Sequence, residues 1–342
     1  MVRNANIKRG RKMIDLSTSY MGLNLKNPIV ASPSYLWEDP NNIKKAEKSG
    51  AAAVVLHSLF EEQLEIEQMD LNRFLLQGTE SFAEALTYFP EIKEFKFAPD
   101  EYIELVKEVK ASSEIPIIGS LNGVSDGGWI NYAQKIEQAG ADGLELNIYY
   151  IPTDISTKSE KIEESYYNLV KSVKQKIKIP LAVKLSPYLT STPNVLKNIE
   201  KAGADAFVIF NRFYQPDIEI ENLEITPNLV LSNSDELRLR LRWAAIMHGK
   251  IKPDIAITGG VHTGSDVIKS IMAGANVSMM TSALIKNGIC HIEKVLSEVK
   301  DWLSNHEYDS IKSIQGLMSQ EKVLEPSTYE RANYMKTLGS YK

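Results

Sequence analysis

Residues 179–187 read IPLAVKLSP, and this stretch decides the fold that the chain is expected to adopt. A short apolar run that opens and closes on proline predicts a buried strand of a parallel sheet. Lys184 interrupts the run near its carboxyl end. Because burying an unpaired ammonium is costly, this lysine indicates an anionic or electron-rich partner at the strand end. A structural pairing with a nearby Asp or Glu is an equally good explanation of the stretch alone.

The same strand signal recurs along the chain in alternation with a second signal, a glycine-alanine helix exit. Prolines open apolar runs, and glycines end helices, at the following positions: Pro28, Pro116, Pro180 and Pro253, and Gly50, Gly140, Gly203 and Gly274. Each proline precedes its glycine by 21 to 24 residues, which holds one strand and one amphipathic helix. The pattern predicts four strand–helix–strand units and therefore a (β/α)8 TIM barrel of the α/β class. A doubly wound open sheet explains the alternation but not the fourfold regularity.

The spacing also predicts how the chain is divided. We expect a flexible extension at residues 1–12, a barrel at 13–304 and a C-terminal helical tail at 305–342. That tail is expected to pack on the barrel or on a partner subunit, with a helix start and a capping Ser or Thr at 326–330. The long connection at 59–113, after the second strand, is expected to form one wall of a substrate pocket. Its aromatic residues Phe82, Tyr88 and Phe89 are expected to face that pocket.

Composition excludes several classes of function. The chain has 342 residues, 43% hydrophobic and 24% charged, with a net charge of −5 and no basic face that would indicate nucleic acid. It contains no apolar run long enough to span a bilayer. Its one cysteine, Cys290, excludes an internal disulfide, fits a reducing cytoplasm and is expected to be a buried small hydrophobe. The five histidines lack the spacing of a metal site, so no metal is expected.

Polar residues stand at the end of each expected strand. They are Ser32 and Ser34, His57 and Ser58, Ser120 and Asn122, Asn147, Lys184 and Ser186, Asn211 and Arg212, Thr258, and Thr281 and Ser282. Each one separately is best explained as a turn-closing residue. Taken together, these polar residues are expected to form a ring that includes one cation, Lys184, and such a ring favours a flat heterocyclic ligand. The turn at Gly259-Gly260, together with Thr281 and Ser282 and the free N–H groups of the following helices, predicts a phosphate site.

Six motifs in this order resemble the dihydroorotate dehydrogenases, and most closely their soluble class 1 enzymes. The motifs are IDLSTSYMGLNLKNPIVASP at 14–33, LELN at 144–147, VKLSP at 183–187, the strand end at Asn211, Gly259-Gly260, and TSALI at 281–285. The runs LELNIYYIPTD, FNRFYQPDIE and RANYMK further resemble a bacterial subgroup of dihydroorotate dehydrogenase-like proteins. The resemblance implies FMN on the carboxyl face of the barrel and oxidation of dihydroorotate to orotate in pyrimidine biosynthesis.

The resemblance also assigns residues. It implies contacts to FMN from Ala31, Ser32, Ser58, Asn122, Asn147, Lys184, Asn211, Gly259, Gly260, Thr281 and Ser282. Within that set, Lys184 corresponds to the lysine beside the pyrimidine part of the flavin, where a cation stabilises the anionic reduced ring. Asn147 and Asn211, with Arg212 beside them, are the expected substrate-binding residues. A small-molecule substrate, a homo-oligomer and an electron-transfer partner protein are the expected associations.

One departure from the family pattern lowers the expectation of dihydroorotate turnover. The class 1 motif places a catalytic cysteine where this chain has Tyr150, next to Tyr149. A tyrosine with an unperturbed pKa near 10 is a poor base at neutral pH, but it is a usable acid. Three hypotheses therefore stay open: a dihydroorotate-type oxidoreductase, a flavin enzyme that reduces an unrelated substrate with a tyrosine as proton donor, and a non-redox barrel that binds a phosphate ester.

Overall fold

The protein is described by a computed structural model, which describes residues 14–64, 99–125, 127, 130–212 and 215–340. Eight parallel strands close into a barrel in chain order, with the last strand paired to the first. The barrel strands are Ile29–Ala31 (β3), Ala53–Phe60 (β4), Ile117–Asn122 (β5), Gly143–Asn147 (β6), Leu181–Leu185 (β7), Ala206–Ile209 (β8), Asp254–Thr258 (β11) and Val277–Met280 (β12). The predicted TIM barrel is confirmed, and the open-sheet alternative is wrong.

Helices separate consecutive barrel strands, as the alternating signals predict. They are Pro40–Lys48 (α1), Pro99–Ser112 (α2), Asn131–Gln138 (α3), Ser159–Lys176 (α4), Thr192–Ala202 (α5), Leu237–Met247 (α6), Gly264–Ala273 (α7), Ser282–Asn287 (α8) and His291–Asn305 (α9). The four glycines that were expected to end helices all have left-handed φ angles, between +98° and +116°. Gly274 illustrates the constraint, because an added Cβ would lie 2.5 Å from the His248 side chain. This helix exit therefore requires glycine for both reasons.

A small hairpin closes the amino-terminal end of the barrel. Its strands Thr18–Tyr20 (β1) and Leu23–Leu25 (β2) pair antiparallel. Tyr20 and Met21 are buried in one cluster with the side chains that fill the barrel interior. The Met21 amide donates to Asp254, the first residue of β11, at 2.9 Å. Since this end is plugged by apolar side chains, the opposite, carboxyl end of the barrel is where polar strand ends meet a cavity.

The C-terminal segment runs back over the outer helices. The amides of Gly316, Met318 and Gln320 donate to the carbonyls of Ile271, Met272 and Ala245 at 2.8 to 2.9 Å. The same segment contains short helical turns at Lys312–Ile314, Pro326–Tyr329, Arg331–Asn333 and Tyr334–Leu338 (α10). The expected cap by Ser or Thr is wrong, because Glu325 holds the cap position of the turn at 326–329 and no side-chain cap forms.

Several expectations fall on residues outside those described, namely the flexible extension at 1–12 and the expected orientation of Phe82, Tyr88 and Phe89 towards a pocket. A second hairpin, Asp217–Glu219 (β9) with Glu224–Thr226 (β10), lies in the long connection after β8. No helix in the described part of the chain is both long and apolar enough to cross a membrane.

Cys290 is exposed, so its expected burial is wrong. It stands just before α9, outside the face that this helix packs on the barrel.

Candidate active site

The register of neighbouring strands brings the predicted polar residues together inside the upper barrel. Asn122 on β5 stands beside Asn147 on β6, which stands beside Lys184 on β7. All three side chains are buried, with exposed fractions of 6 to 7%. Strand alternation explains why these positions face inwards while their neighbours face the helices. The three strand ends thus present two amides and one ammonium side by side.

Lys184 pairs with a carboxylate that the sequence reasoning did not single out. Its Nζ lies 3.2 Å from Oε1 of Glu145, and both side chains are at least nine-tenths buried. The expected structural pairing with an acidic residue is therefore present. Lys184 also lines a cavity, so this pairing coexists with exposure of the ammonium to a ligand space.

Further hydrogen bonds fix the other strand ends. The Asn211 amide donates to Oδ1 of Asn147 at 2.9 Å. The hydroxyl oxygens of Ser32 and Thr258 are 3.2 Å apart, and those of Ser58 and Ser120 are 2.8 Å apart. These contacts hold the side chains in fixed orientations around the barrel mouth, which favours recognition of a rigid ligand.

A cavity of about 280 Å³ opens between β3, β7, β11 and β12. Its lining includes most of the expected cofactor residues: Ser32, Lys184, Asn211, Gly259, Gly260, Thr281 and Ser282. Ala31 and Ser58 do not line it within the described residues. Ala31 is buried in the core, and the Ser58 hydroxyl is bonded to Ser120. The strand ends of β7, β11 and β12 therefore form one continuous wall.

A second cavity of about 710 Å³ adjoins the first and shares Arg212 and Asn211 with it. Its other polar lining residues are Asn122, Asn147, Tyr149, Gln215, Asp217 and Asn228. Amides that both donate and accept, together with a guanidinium and a phenol, suit a small ring with amide groups and an acidic substituent. The two cavities thus place cofactor-type and substrate-type residues on either side of Asn211.

Tyr149 and Tyr150 lie in different places. Tyr149 lines the second cavity beside the asparagines. Tyr150 instead lines a separate cavity of about 410 Å³ with Tyr166 and Leu189, and it packs against the core. The structure therefore brings Tyr149, but not Tyr150, together with the other expected site residues.

The turn after β11 is supported from behind by residues that sequence reasoning missed. Arg240 is 5% exposed and donates from Nε to the Thr258 carbonyl at 2.7 Å. An added Cβ at Gly259 would lie 2.8 Å from the same guanidinium. The Ser232 hydroxyl is 3.0 Å from Nε2 of His262 and accepts from the Gly260 amide. Arg240 and Ser232 lie 18 and 28 residues from their partners Thr258 and Gly260, and no local motif connects them to the turn.

The N–H groups at the start of α7 were expected to be free to bind phosphate, and this expectation is wrong. A reciprocal capping box joins Thr263 and Asp266 there. The amides of His262 and Thr263 donate to Asp266, and the Gly264 amide donates to Glu298 at 2.7 Å. Because carboxylates already occupy this helix terminus, any phosphate contact on this side must come from the glycine turn itself.

His57 occupies the place where the class 1 resemblance would put a lysine. Burial lowers the pKa of His57 from 6.5 to about 4, so the imidazole is neutral near pH 7. Its ring meets Tyr102 edge to face at 5.0 Å. Within the residues described, no group of three or more His, Cys, Asp and Glu side chains is arranged to hold a metal ion.

Comparisons with known proteins agree with the geometry. The family model described as "Dihydroorotate dehydrogenase" matches residues 98–303. A relative from Thermoplasma acidophilum, named dihydroorotate dehydrogenase B (NAD(+)), catalytic subunit, is 25% identical over 313 residues, or 89% of this chain and 99% of the relative. A relative of the same name from Methanocaldococcus jannaschii is 25% identical, over 88% of this chain and 97% of its own.

A third relative differs in its name. The protein from Aeropyrum pernix is named putative dihydroorotate dehydrogenase A (fumarate), and it is 22% identical over 88% of this chain and 98% of its own length. The family match covers more than half of the 342 residues and includes β5 to β8, β11 and β12. The predicted family and the predicted oxidoreductase class are confirmed: the chain belongs to the dihydroorotate dehydrogenase family of oxidoreductases.

Proposed function

We propose that the protein is an FMN-dependent oxidoreductase that acts on a CH–CH bond of a small cyclic amide, with dihydroorotate as the first substrate to test. The observation that carries the proposal is the position of Lys184, which lines one cavity with the glycine turn of β11 and stands beside Asn147, the hydrogen-bond partner of Asn211. Glu145 balances the charge of this ammonium, and Lys184 still lines a cavity in which an electron-rich ligand could accept hydrogen bonds from its remaining donors.

The residues present fit a flavin mononucleotide. Lys184 has three N–H donors and gives one to Glu145, which leaves donors for a ligand in the cavity that it lines. Gly259 and Gly260 adopt φ angles of +85° and +87°, and with Thr281 and Ser282 they would hold the phosphate. Bound there, FMN would supply hydride acceptance. The protein supplies the positive charge, the fixed amides and the exclusion of water.

The second cavity would hold the substrate. Asn147 and Asn211, already oriented by their mutual hydrogen bond, would donate to and accept from the amide groups of a substrate ring. Arg212 would pair with a carboxylate. Its guanidinium is held at 2.9 Å by Glu236 and also donates to the Val230 carbonyl. A guanidinium fixed from behind presents its remaining donors in one direction, which suits an acidic substrate.

We assign the role of proton donor to Tyr149 rather than to Tyr150. Tyr149 lines the cavity that holds the asparagines, whereas Tyr150 lines another cavity. A neutral phenol donates a proton without prior activation, but it must lose its own proton before it can act as a base. The proposal therefore favours the direction in which the substrate is reduced, or a substrate whose proton is more acidic than that of dihydroorotate.

Location and assembly complete the proposal. We propose a cytoplasmic protein that works as a homo-oligomer, or with a separate electron-transfer chain. The support is the name of two relatives, catalytic subunit, and the single cysteine, which provides no ligand set for an iron–sulfur cluster in this chain. Mass measurement by light scattering, with and without a co-purified partner, distinguishes these assemblies.

The first test is the colour and cofactor content of the purified protein. We expect non-covalent FMN that heat or acid releases. Protein that purifies without flavin and fails to bind added FMN would overturn the proposal and favour the phosphate-ester alternative.

The second test mixes oxidised, FMN-loaded protein with excess dihydroorotate in the absence of oxygen. We expect slow or no bleaching of the flavin absorbance at pH 7–8, because a phenol must lose its own proton before it can accept one from the substrate. Bleaching within seconds would contradict the assignment of Tyr149 as an acid and would establish the dihydroorotate reaction.

A further inference from the structure

Among the described residues, Glu145 is the most buried acidic side chain that the proposed chemistry does not use. It lies in the middle of β6, between Leu144 and Leu146, and its exposed fraction is 0%. Its Oε1 accepts from Lys184 at 3.2 Å, while its Oε2 has no hydrogen-bond partner among the described residues. A carboxylate in such a place carries a high desolvation cost, and one lysine is the main compensation.

The strand register explains how the two residues meet. Glu145 pairs across the sheet with Ala182, and Asn147 pairs with Lys184. Inward-facing positions alternate, so the carboxylate lies one layer below the lysine on the neighbouring strand. Ala182 is small, which leaves room for the lysine side chain to turn towards the barrel interior. The ammonium is therefore held from below, and its upper side forms part of the cavity wall.

We propose that Glu145 is a positioning residue that fixes Lys184 at the cavity wall and, as its counter-ion, limits how strongly Lys184 stabilises negative charge on a bound flavin. This inference rests on the proposed function, since it concerns the group that would occupy the cavity. A buried pair with one carboxylate and one ammonium has no net charge. Its effect above the ammonium is that of a dipole, weaker than that of an isolated cation.

Two buried phenols, those of Tyr20 and Tyr102, lie close enough to Glu145 for a carboxylate there to act on them. Burial raises the pKa of the Tyr20 hydroxyl, and the charge of Glu145 raises it further. The pKa of the Tyr102 hydroxyl is raised for the same two reasons. Both phenols therefore stay neutral, and Lys184 is the cation that balances the carboxylate among the described neighbours.

The test uses Glu145→Gln, which keeps an oxygen acceptor for Lys184 but removes the negative charge. At a fixed ambient potential, the ratio of reduced to oxidised flavin should rise at least about tenfold, which is about 30 mV for a two-electron couple. Lys184→Gln should lower that ratio. A Glu145→Gln protein that binds FMN normally but shows an unchanged or lower ratio would overturn the inference.

A matched control comes from an ion pair on the outside of the barrel. Lys174 and Asp205 are 2.6 Å apart, with side chains 28% and 39% exposed. Asp205→Asn removes a negative charge, as Glu145→Gln does, but at a distance from the cavity, so the flavin ratio should stay at the wild-type value. A rise as large as that of Glu145→Gln would show a general electrostatic effect and overturn the positioning role.

A second measurement needs no flavin. In apoprotein, the double variant Glu145→Gln with Lys184→Gln should lose less stability than the two single variants added together, because the pair interacts. Additive losses would refute the pairing itself. If the wild-type protein takes up no FMN, the proposed function fails, while this cycle still decides whether Glu145 holds Lys184.

Discussion

The glycine turn at the end of β11 makes a quantitative prediction possible. Gly260 has a φ angle of +87°, and an added Cβ would lie 2.5 Å from the backbone nitrogen of Leu237. Gly22, in the turn between β1 and β2, has a φ angle of +76°, and no atom of the described residues lies within 4 Å of a Cβ added there. Gly22→Ala therefore reports the backbone cost alone, and Gly260→Ala reports the backbone cost together with the steric cost.

The two contributions have known scales. A left-handed φ angle costs a residue with a Cβ about 1–2 kcal/mol. Forcing an extra methyl group against fixed neighbours costs about 1–3 kcal/mol more, and here the neighbour is the backbone at the start of α6. We therefore expect losses in the free energy of unfolding of about 1–2 kcal/mol for Gly22→Ala and about 2–5 kcal/mol for Gly260→Ala.

Equilibrium urea unfolding, followed by circular dichroism, measures both losses on the same apoprotein. FMN affinity is measured in parallel, and only Gly260→Ala should weaken it, since Gly260 lines the first cavity. The reasoning is refuted if Gly260→Ala costs no more stability than Gly22→Ala. If a stable Gly260→Ala protein binds FMN with the wild-type affinity, the turn does not contribute to phosphate binding.

Three further predictions concern single side chains. The folded His57 has a pKa of about 4 against 6.5 for the unfolded chain, so the unfolded state binds more protons in that window. As pH falls from 6.5 to 4, protonation of His57 should therefore lower the free energy of unfolding by about 3 kcal/mol. Urea unfolding of the wild type and of His57→Gln at both pH values measures this, and an equal loss in the variant would contradict the prediction. Tyr149→Phe should lower the turnover number by about 10²–10⁴, while Tyr150→Phe should leave it near the wild-type value; the reverse order in steady-state assays would reassign the acid. Arg212→Gln should raise the KM for a carboxylate substrate about 10- to 100-fold, whereas Arg238→Gln, on the exposed surface, should not, and equal KM values would remove Arg212 from the substrate site.

The fold was predictable because its signals are local and repeated. Each proline, apolar run and glycine acts within a window of 21 to 24 residues, and the structure places all four helix-ending glycines at left-handed φ angles. The burial of Cys290 and the cap of the turn at 326–329 were wrong for the same reason in both cases. They depend on which way one side chain points at a helix end, and apolar periodicity does not fix that direction.

The candidate site was predictable only where a strand presents it. Asn122, Asn147 and Lys184 end strands, so strand register alone brings them together. Arg240 acts from a helix and Ser232 from a loop, and nothing in their local sequence connects them to the turn that they support. Glu145 was hidden for another reason. It stands inside an apolar run, and its role depends on Lys184 of the neighbouring strand, 39 residues later in the chain.

The same distinction explains why the cofactor is better supported than the substrate. The first cavity is built from strand ends and the turns that directly follow them, whose positions the closed barrel dictates. The second cavity takes Tyr149, Arg212 and Asn228 from connections after β6 and β8, and connections vary more readily than strands. Relatives at 22 to 25% identity carry names with different acceptors, NAD(+) in two and fumarate in one. Likeness at this level therefore supports the family and its barrel, whereas the substrate and the acceptor must be determined by experiments on Tyr149 and Arg212 in this chain.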